Sequence, residues 1–152
     1  MIFLGGPSML LDKTFSQLTT TELFQIYRLR AAVFIVAQSR VVQDPDDVDL
    51  IARHIFIKDG DAIVAYARVY PADGGVSFGR VVTAASHRGQ GLGRELMDGV
   101  MDCIRKYFPG NPIHIHAQEQ VERFYYQWGF QSEGAPFILA QTPHVKMTHP
   151  AI

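Results

Sequence analysis

The sequence predicts an α/β or α+β domain in which helices cover a mixed sheet. Three observations predict this class. Short strands with turn signals between them lie within residues 54–83, apolar residues follow helical spacing over 89–107, and strand–helix–strand order recurs near the end of the chain. The short turns are typical of an antiparallel meander, whereas a strand–helix–strand unit implies some parallel pairing through a right-handed crossover. The 152 residues, 47% of them hydrophobic, suffice to bury one continuous core.

The first predicted helix begins after Thr19, because residues 19–22 fit a capping box. Residues 23–38 are almost entirely apolar, which is typical of a helix that is buried on most sides. Arg28 and Arg30 interrupt this run, and burying an unpaired arginine is costly. We therefore expect them to meet either the aspartates of the acidic loop 43–49 or a carboxylate of a substrate. The loop itself is expected to be a solvated turn or a site that attracts a cationic amine.

Strands and helices alternate after the acidic loop. Three strands are predicted at residues 54–58, 62–70 and 76–83. Gly79 lies inside the third strand, where a glycine indicates a bulge or a close approach of another backbone. The remaining order is a helix over 89–107, a strand over 112–117, a short helix over 119–128, and strands near 130–133 and 145–149.

The segment 88–93, Arg-Gly-Gln-Gly-Leu-Gly, opens the second long helix and is the strongest functional signal in the chain. Its glycines leave backbone N–H groups uncovered. At a helix start those groups have no intrahelical partner and carry the positive end of the helix dipole. Such a site fits a pyrophosphate, and Arg88 and Arg94 add forked donors; the alternative is a tight corner without a ligand. The lysine of a Walker loop is absent, and the glycine spacing differs from the dinucleotide-binding fingerprint.

Composition argues against several classes of function. With 14 basic and 15 acidic residues the net charge is −1, so a surface that neutralises nucleic-acid phosphates is not favoured. Cys103 is the only cysteine, which excludes an internal disulfide and a cysteine-based zinc site, and we expect a small buried hydrophobe there. No apolar run approaches the roughly 20 residues that span a bilayer. Residues 1–8 lack the basic start of a signal peptide. We expect them to form a flexible tail before a single domain over 9–152, with a cytoplasmic location as the default.

These motifs resemble the GNAT superfamily of acyl-CoA-dependent N-acetyltransferases. Residues 88–93 match the family's Arg/Gln-x-x-Gly-x-Gly/Ala signature, and Phe-Tyr-Tyr-Gln-Trp-Gly-Phe at 124–130 resembles its downstream Phe-Tyr-x-x-x-Gly-Phe segment. A closer similarity, over about residues 14–149, is to the ElaA-like branch. It rests on Leu-Arg-x-x-Val-Phe at 29–34, Val-Ala-Tyr-Ala-Arg at 64–68, Gly-Arg-Val-Val at 79–82, Ala-Gln at 117–118 and Pro-His at 143–144.

The resemblance implies a mostly antiparallel central sheet of six to seven strands flanked by helices, and acetyl-CoA as the cofactor. It also implies transfer of an acetyl group to a primary amine of a small molecule or peptide, by direct attack through a tetrahedral intermediate. A backbone N–H of Val82 or Val81 would stabilise the oxyanion, and Tyr125 would protonate the departing thiolate, with Tyr126 as the fallback. The implied cofactor-binding residues are Val81, Val82, Thr83, Arg88, Gly89, Gln90, Gly91, Leu92, Gly93, Arg94, Gln118, Phe124 and Tyr125.

The general base stays open. His114 and His116 share one face of a predicted strand, and His116 is the first candidate because that face leads to the cofactor region. His144, in the Pro-His segment, is the second candidate, and proton loss through water needs no dedicated base. Without a third ligand the histidine pair predicts no metal site. Substrate contacts are assigned to Arg30, Gln38 and His144.

Two departures from the ElaA-like pattern leave other functions open. Ala37-Gln38 replaces the usual Glu-Gln, and residues 138–142 lack the usual acidic run, so carboxylates are lost near the expected substrate side. A catalytically weak acyl-CoA-binding sensor or regulatory module is therefore the second hypothesis. An enzyme that acetylates protein lysines is the third, and it would need an open acidic groove. A homodimer is a further expectation, because mixed sheets leave edges to cover.

Overall fold

The computed structural model describes residues 8–152 and contains one seven-stranded sheet. The strands are β1 (Ser8–Thr14), β2 (Arg53–Asp59), β3 (Ala62–Ala72), β4 (Gly75–Thr83), β5 (Ile113–Gln118), β6 (Gln131–Leu139) and β7 (Thr142–His149). The α-helices are α1 (Thr20–Arg30), α2 (Val48–Ile51), α3 (Leu92–Tyr107) and α4 (Glu122–Tyr126). No helix among residues 8–152 is both long and apolar enough to cross a membrane.

The sheet is mixed and mostly antiparallel, as the sequence predicts. Its order is β1-β2-β3-β4-β5-β7-β6, and only the contact between β4 and β5 is parallel. Apolar residues of the sheet form two core clusters. The larger includes Leu96, Val100 and Ile104 of α3, and the smaller includes Ile26 of α1. These helices therefore cover opposite faces, and the sheet between them positions the cleft described below.

β1 is an element that the sequence analysis missed. It pairs with β2 along its whole length, from Ser8 opposite Asp59 to Thr14 opposite Arg53. Its second half is polar and half-buried, so it lacks the apolar alternation that identifies a strand. α3 makes room for it at Gly99, where a Cβ atom would lie 2.6 Å from Cδ1 of Leu10. Residues 1–7 of the predicted tail lie outside the described residues, and Ser8 begins β1.

The predicted helix over 23–38 is divided into two parts. The capping box is confirmed: the Glu22 N–H donates to Thr19 Oγ1 at 3.0 Å, and the Thr19 N–H donates to Glu22 Oε1 at 2.9 Å. α1 ends at Arg30, and the next turns, Ala31–Ala37, are a π-helix. The expectation of one continuous α-helix was therefore wrong. The π-helix lies between Arg30, the last residue of α1, and Gln38. π-Helical turns are frequent at functional sites.

The later elements follow the predicted order with shifted bounds. α3 begins at Leu92 rather than residue 89, since Gly91 is its N-cap in a left-handed conformation. The predicted helix over 119–128 is a 3₁₀ turn followed by the short α4. β6 extends well past the predicted residue 133. A register shift against β7 between Glu133 and Phe137 accommodates the intervening Gly-Ala-Pro, which resembles a turn in sequence.

Candidate active site

A cleft opens where two neighbouring strands separate. β4 and β5 pair only at Val76 and Ile113, near the start of each strand, whereas β5 stays paired with β7 from Ile113 to Gln118. The cleft has a volume of about 940 Å³ and is lined by both strands. Strands that separate leave backbone N–H and C=O groups without a sheet partner, which suits an extended ligand.

A bulge in β4 lies on the wall of this cleft. Tyr66 pairs with Val82 and Arg68 pairs with Gly79, so Arg80 and Val81 together face the single residue between those β3 partners. Arg80 has a φ of 51°, in the left-handed region that non-glycine residues rarely adopt. The bulge predicted near Gly79 is thus present. A bulge bends its strand and redirects the backbone groups beside it.

The hydrogen-bond alternation of β4 decides which N–H groups face the cleft. The Ala84 N–H donates to the Val64 carbonyl on β3 at 2.8 Å. Alternate residues of an antiparallel strand bond the same neighbour, so Val82, opposite Tyr66, also directs its N–H to β3. Of the two oxyanion donors that the resemblance leaves open, Val82 and Val81, this register favours Val81. Val81 and Thr83 have the opposite orientation and line the cleft.

Arg30 is buried within an ion-pair cluster. Its side chain is 0% exposed, with Nε 2.8 Å from Asp44 Oδ2 and Nη1 2.7 Å from Asp49 Oδ1. Burial alone would raise the pKa of Asp49, but the hydrogen bond and charge of Arg30 hold it below its ordinary value. The placement of Arg30 among the substrate-binding residues is corrected, because aspartates already occupy its donors. Arg28, by contrast, is exposed and lies over the Phe24 ring.

The same cluster reaches the bulge of β4. Arg80 Nε lies 2.9 Å from Asp44 Oδ1, and its Nη2 donates to the Asp44 carbonyl at 3.0 Å. Arg68 of β3 pairs with Asp46 and, at 3.0 Å, with Asp49. The aspartates of the 44–49 loop thus neutralise arginines from α1, β3 and β4. The expected ion pairing of this loop with the arginine-interrupted helix is thus confirmed for Arg30, and the loop is a structural counter-ion rather than a solvated turn.

The start of α3 adjoins the cleft and has the features of an anion site. The first intrahelical bond runs from the Glu95 N–H to the Gly91 carbonyl, so the preceding N–H groups have no helical acceptor. Gly89 and Gly91 both have a φ of 78°, and a Cβ at either position would meet nothing within 4 Å. These glycines therefore allow the left-handed backbone conformation and leave space beside the helix start, and no tight packing requires them. Arg88 lines the cleft just before them.

The other predicted cofactor residues of α3 occupy different environments. Gln90 and Arg94 are exposed, whereas Leu92 is buried in the core. Gly93 lies against Phe124, since its Cβ would be 3.3 Å from Cζ of that ring. This contact fixes α4 beside the start of α3.

Two adjacent tyrosines have different surroundings. Tyr125 is 5% exposed, packs against Phe78, Phe124 and Phe130, and lines the cleft. Burial raises the pKa of Tyr125, so its hydroxyl keeps its proton. Tyr126 is exposed, bonds Glu122 and Ser132, and does not line the cleft. Of the two candidate acids, Tyr125 lines the cleft and Tyr126 does not.

Three histidines line the cleft, His114 and His116 from β5 and His144 from β7. His144 Nδ1 lies 2.8 Å from the Thr142 carbonyl. Since a carbonyl only accepts, Nδ1 carries the proton and Nε2 has the free electron pair. Burial lowers the pKa of His144 below its ordinary value, which favours this neutral form. His116 also lines the cleft but is exposed, with its ring against the edge of Phe137.

A short segment after the π-helix crosses to the far side of the cleft. Gln38 and Gln118 exchange side-chain hydrogen bonds of 3.4 and 3.2 Å, which brings together one predicted substrate residue and one predicted cofactor residue. Next to them, Arg40 Nε donates to the Ala140 carbonyl at 2.9 Å. Arg40 and Arg80 were not predicted as site residues, because their partners lie 100 and 36 residues away and leave no local signal.

Several known proteins are similar to this chain over nearly its whole length. The family profile described as Acetyltransferase (GNAT) domain matches residues 46–150. Protein ElaA of Escherichia coli (strain K12) is 32% identical over 146 residues, covering 93% of this chain and 95% of that protein. The crystal structure of Escherichia coli ElaA matches with a TM-score of 0.88 and 31% identity, over 93% of this chain and 99% of that chain. An acyl-CoA N-acyltransferase from Pseudomonas aeruginosa matches with a TM-score of 0.88 and 28% identity, at the same coverage.

Proposed function

The chain belongs to the GNAT acetyltransferase family and is an acyltransferase, and on this premise we propose that it moves the acetyl group of acetyl-CoA to a primary amine of a small molecule or peptide. One observation carries the proposal. The cleft between β4 and β5 is bordered by backbone groups of β4 without a sheet partner and continues to Arg88, just before the open start of α3. An extended thioester with a pyrophosphate at one end matches that order of sites.

The cofactor would be held mainly by backbone groups. The N–H groups at the start of α3 and the Arg88 guanidinium would bind the pyrophosphate, with room left by Gly89 and Gly91. Val81 and Thr83 would pair with the amides of the pantetheine arm, since their backbones face the cleft. The other cofactor-binding residues that the resemblance implies keep that proposed role. Val82 is the exception, because its N–H is directed to β3.

Three groups of the cleft match the chemistry of acetyl transfer. His144 Nε2 accepts a proton from the amine while the nitrogen–carbon bond forms. The Val81 N–H donates to the oxygen that gains negative charge. The Tyr125 hydroxyl gives its proton to sulfur as the carbon–sulfur bond breaks. His144 takes precedence over His116 as the base, because the Thr142 carbonyl fixes its tautomer.

The test of the proposed function is titration with acetyl-CoA. We expect the parent protein to bind in the micromolar range, and Gly91→Glu to weaken binding at least about a hundredfold, because it puts bulk and negative charge at a helix N-terminus. Isothermal calorimetry measures both. Gly110→Glu is the matched control: Gly110 follows the opposite end of α3, has a φ of 76° and has no neighbour within 4 Å of its Cβ position.

The two glycine variants share the same backbone strain, so only a ligand near Gly91 separates them. Equal weakening in both, or no binding by the parent, would contradict the proposal. Release of CoA with an amine then distinguishes the transferase from a catalytically weak acyl-CoA sensor, which binds without turnover.

The pH dependence of kcat/KM tests the base. The lowered pKa of His144 means that its neutral form is complete at lower pH than for a free histidine. We expect kcat/KM to rise with pH, with an acid limb whose midpoint is below 6.5, the ordinary value for histidine. His144→Gln should remove that limb and lower kcat about tenfold to a hundredfold, since water can still carry the proton. His116→Gln should leave the limb in place; the reverse pattern would assign the base to His116.

A further inference from the structure

Positively charged side chains outnumber carboxylates around the cleft. The cations that line it are Arg40, Arg68, Arg80, Arg88 and Lys146, and the acids are Asp44 and Asp73. No glutamate of residues 8–152 lines it. The charge that an acceptor meets depends on which of these cations are already paired with carboxylates behind the cleft wall.

Most of these cations already have a counter-ion or a role. Arg68 and Arg80 pair with the aspartates of the 44–49 loop, and Arg88 lies at the proposed pyrophosphate end. Lys146 Nζ is 3.6 Å from Glu133 Oε1, and both side chains are largely exposed, so this pair is weak. The remaining cation is Arg40, which unlike Lys146 has no carboxylate within 4 Å among residues 8–152.

Arg40 is held by neutral acceptors only. Its Nε donates to the Ala140 carbonyl at 2.9 Å and its Nη1 to Gln38 Oε1 at 3.2 Å, and it forms no ion pair with a carboxylate of residues 8–152. Burial is the main cause that lowers the pKa of Arg40; the charge of Arg80 adds to it, and the charge of Asp44, which already pairs with Arg30 and Arg80, partly offsets it. The Val41 N–H donates to Gln141 Oε1 at 3.1 Å, so the segment is fixed to the β6–β7 turn.

Arg40 lies on the acceptor side of the cleft. It contacts Gln38, which bonds Gln118 at the end of β5, and its charge acts on His144. Asp73 lies in the turn beside Gly75, at the other end, where β4 and β5 still pair. The length of β5 separates these ends by about 17 Å, so Asp73 does not neutralise Arg40.

We propose that the amine acceptor also carries an anionic group, a carboxylate or a phosphate, that pairs with Arg40. This inference rests on the proposed function and names the substrate class of the same site. The Nη2 of Arg40 donates to no residue of 8–152, and a guanidinium matches carboxylate and phosphate oxygens with paired donors. The same positive surroundings favour the neutral, reactive form of the amine near His144. A substrate carboxylate was one of two alternatives for Arg28 and Arg30, beside ion pairs with the 43–49 loop, and we assign that role to Arg40 instead.

Matched acceptor pairs test the inference. The probes are the standard L-amino acids against their α-amides, and O-phosphoethanolamine against ethanolamine. Calorimetry in the presence of CoA measures acceptor binding, and CoA release from acetyl-CoA measures turnover. The variants are Arg40→Gln and, as control, Arg28→Gln on the exposed face of α1. Acetyl-CoA binding by Arg40→Gln, equal to that of the parent, verifies its fold.

We expect the anionic member of at least one pair to bind about tenfold to a hundredfold more tightly than its neutral twin. Arg40→Gln should abolish that difference in affinity, and Arg28→Gln should preserve it. The acceptor pair that shows the difference identifies the anionic group that Arg40 binds, a carboxylate or a phosphate. The inference is overturned if the neutral members bind as well, if Arg40→Gln affects both members equally, or if no anionic amine binds while acetyl-CoA does. Failure of acetyl-CoA itself to bind is a separate result, which rejects the proposed function.

Discussion

Arg30→Ala is expected to lower the free energy of unfolding by about 3–5 kcal/mol, because it removes one partner of a buried ion-pair cluster. Asp44 and Asp49 are 6% and 1% exposed, and each loses an ionic hydrogen bond from Arg30. A carboxylate left in that position keeps the cost of burial without the charge that offsets it. The loss is therefore larger than the contribution of an exposed ion pair, which is at most about 1 kcal/mol.

Chemical denaturation at neutral pH measures this effect, and Arg28→Ala is the matched control. Arg28 lies two residues earlier on α1, is exposed, and lies over the Phe24 ring in cation–π geometry. We expect the control to change the free energy of unfolding by about 0.5 kcal/mol or less. Similar losses in the two variants would show that the buried cluster does not stabilise the fold as its geometry requires.

The cluster also links stability to the geometry of the site. Asp44 accepts from Arg30 on one side and from Arg80, in the bulge of β4, on the other. Arg80 has its left-handed φ at this pairing, and Val81 follows it directly. A variant that loosens Asp44 should therefore reduce activity beyond what unfolding explains, because the bulge orients the Val81 N–H.

Sequence reasoning succeeded where the signal is local. The capping box at Thr19, the helix start after the glycines of 88–93 and the bulge near Gly79 each depend on a few neighbouring residues, and all three are present. The mixed sheet also followed from the order of elements, because short turns and crossover helices leave few topologies. The Tyr125 prediction came from the family motif, and the structure places that residue on the cleft.

Sequence reasoning failed where the determinant is a distant partner. The sequence offered an ion pair between Arg30 and the acidic loop as one of two alternatives, but the pairing of the same aspartates with Arg68 and Arg80 depends on where β3 and β4 lie. The direction of the Val82 N–H depends on the register of β4 against β3. A bulge shifts that register by one residue, and such a shift reverses the direction of the N–H. Arg40 followed the same rule, since its partner Ala140 is 100 residues away.

Tyr125→Phe is expected to lower kcat about a thousandfold while acetyl-CoA binding changes little, because it removes only the proton donor. The Tyr125 hydroxyl bonds no residue of 8–152, and its ring packs on Phe78 and Phe130, contacts that phenylalanine keeps. The thermal midpoint should therefore match that of the parent. Burial raises the pKa of Tyr125 above its ordinary value of 10.0, so its loss of a proton should not limit the parent's activity below pH 10.

Tyr126→Phe is the matched control, one residue along α4. It removes a hydroxyl that bonds Glu122 and Ser132 on the exposed side, so a small change in stability with unchanged kcat is expected. Steady-state release of CoA with a productive amine measures both variants. If kcat falls only for Tyr126→Phe, the acid lies outside the cleft, and if it falls for neither, the thiolate takes its proton from water. A loss confined to Tyr125→Phe assigns the proton donor to the one tyrosine of the pair that lines the cleft.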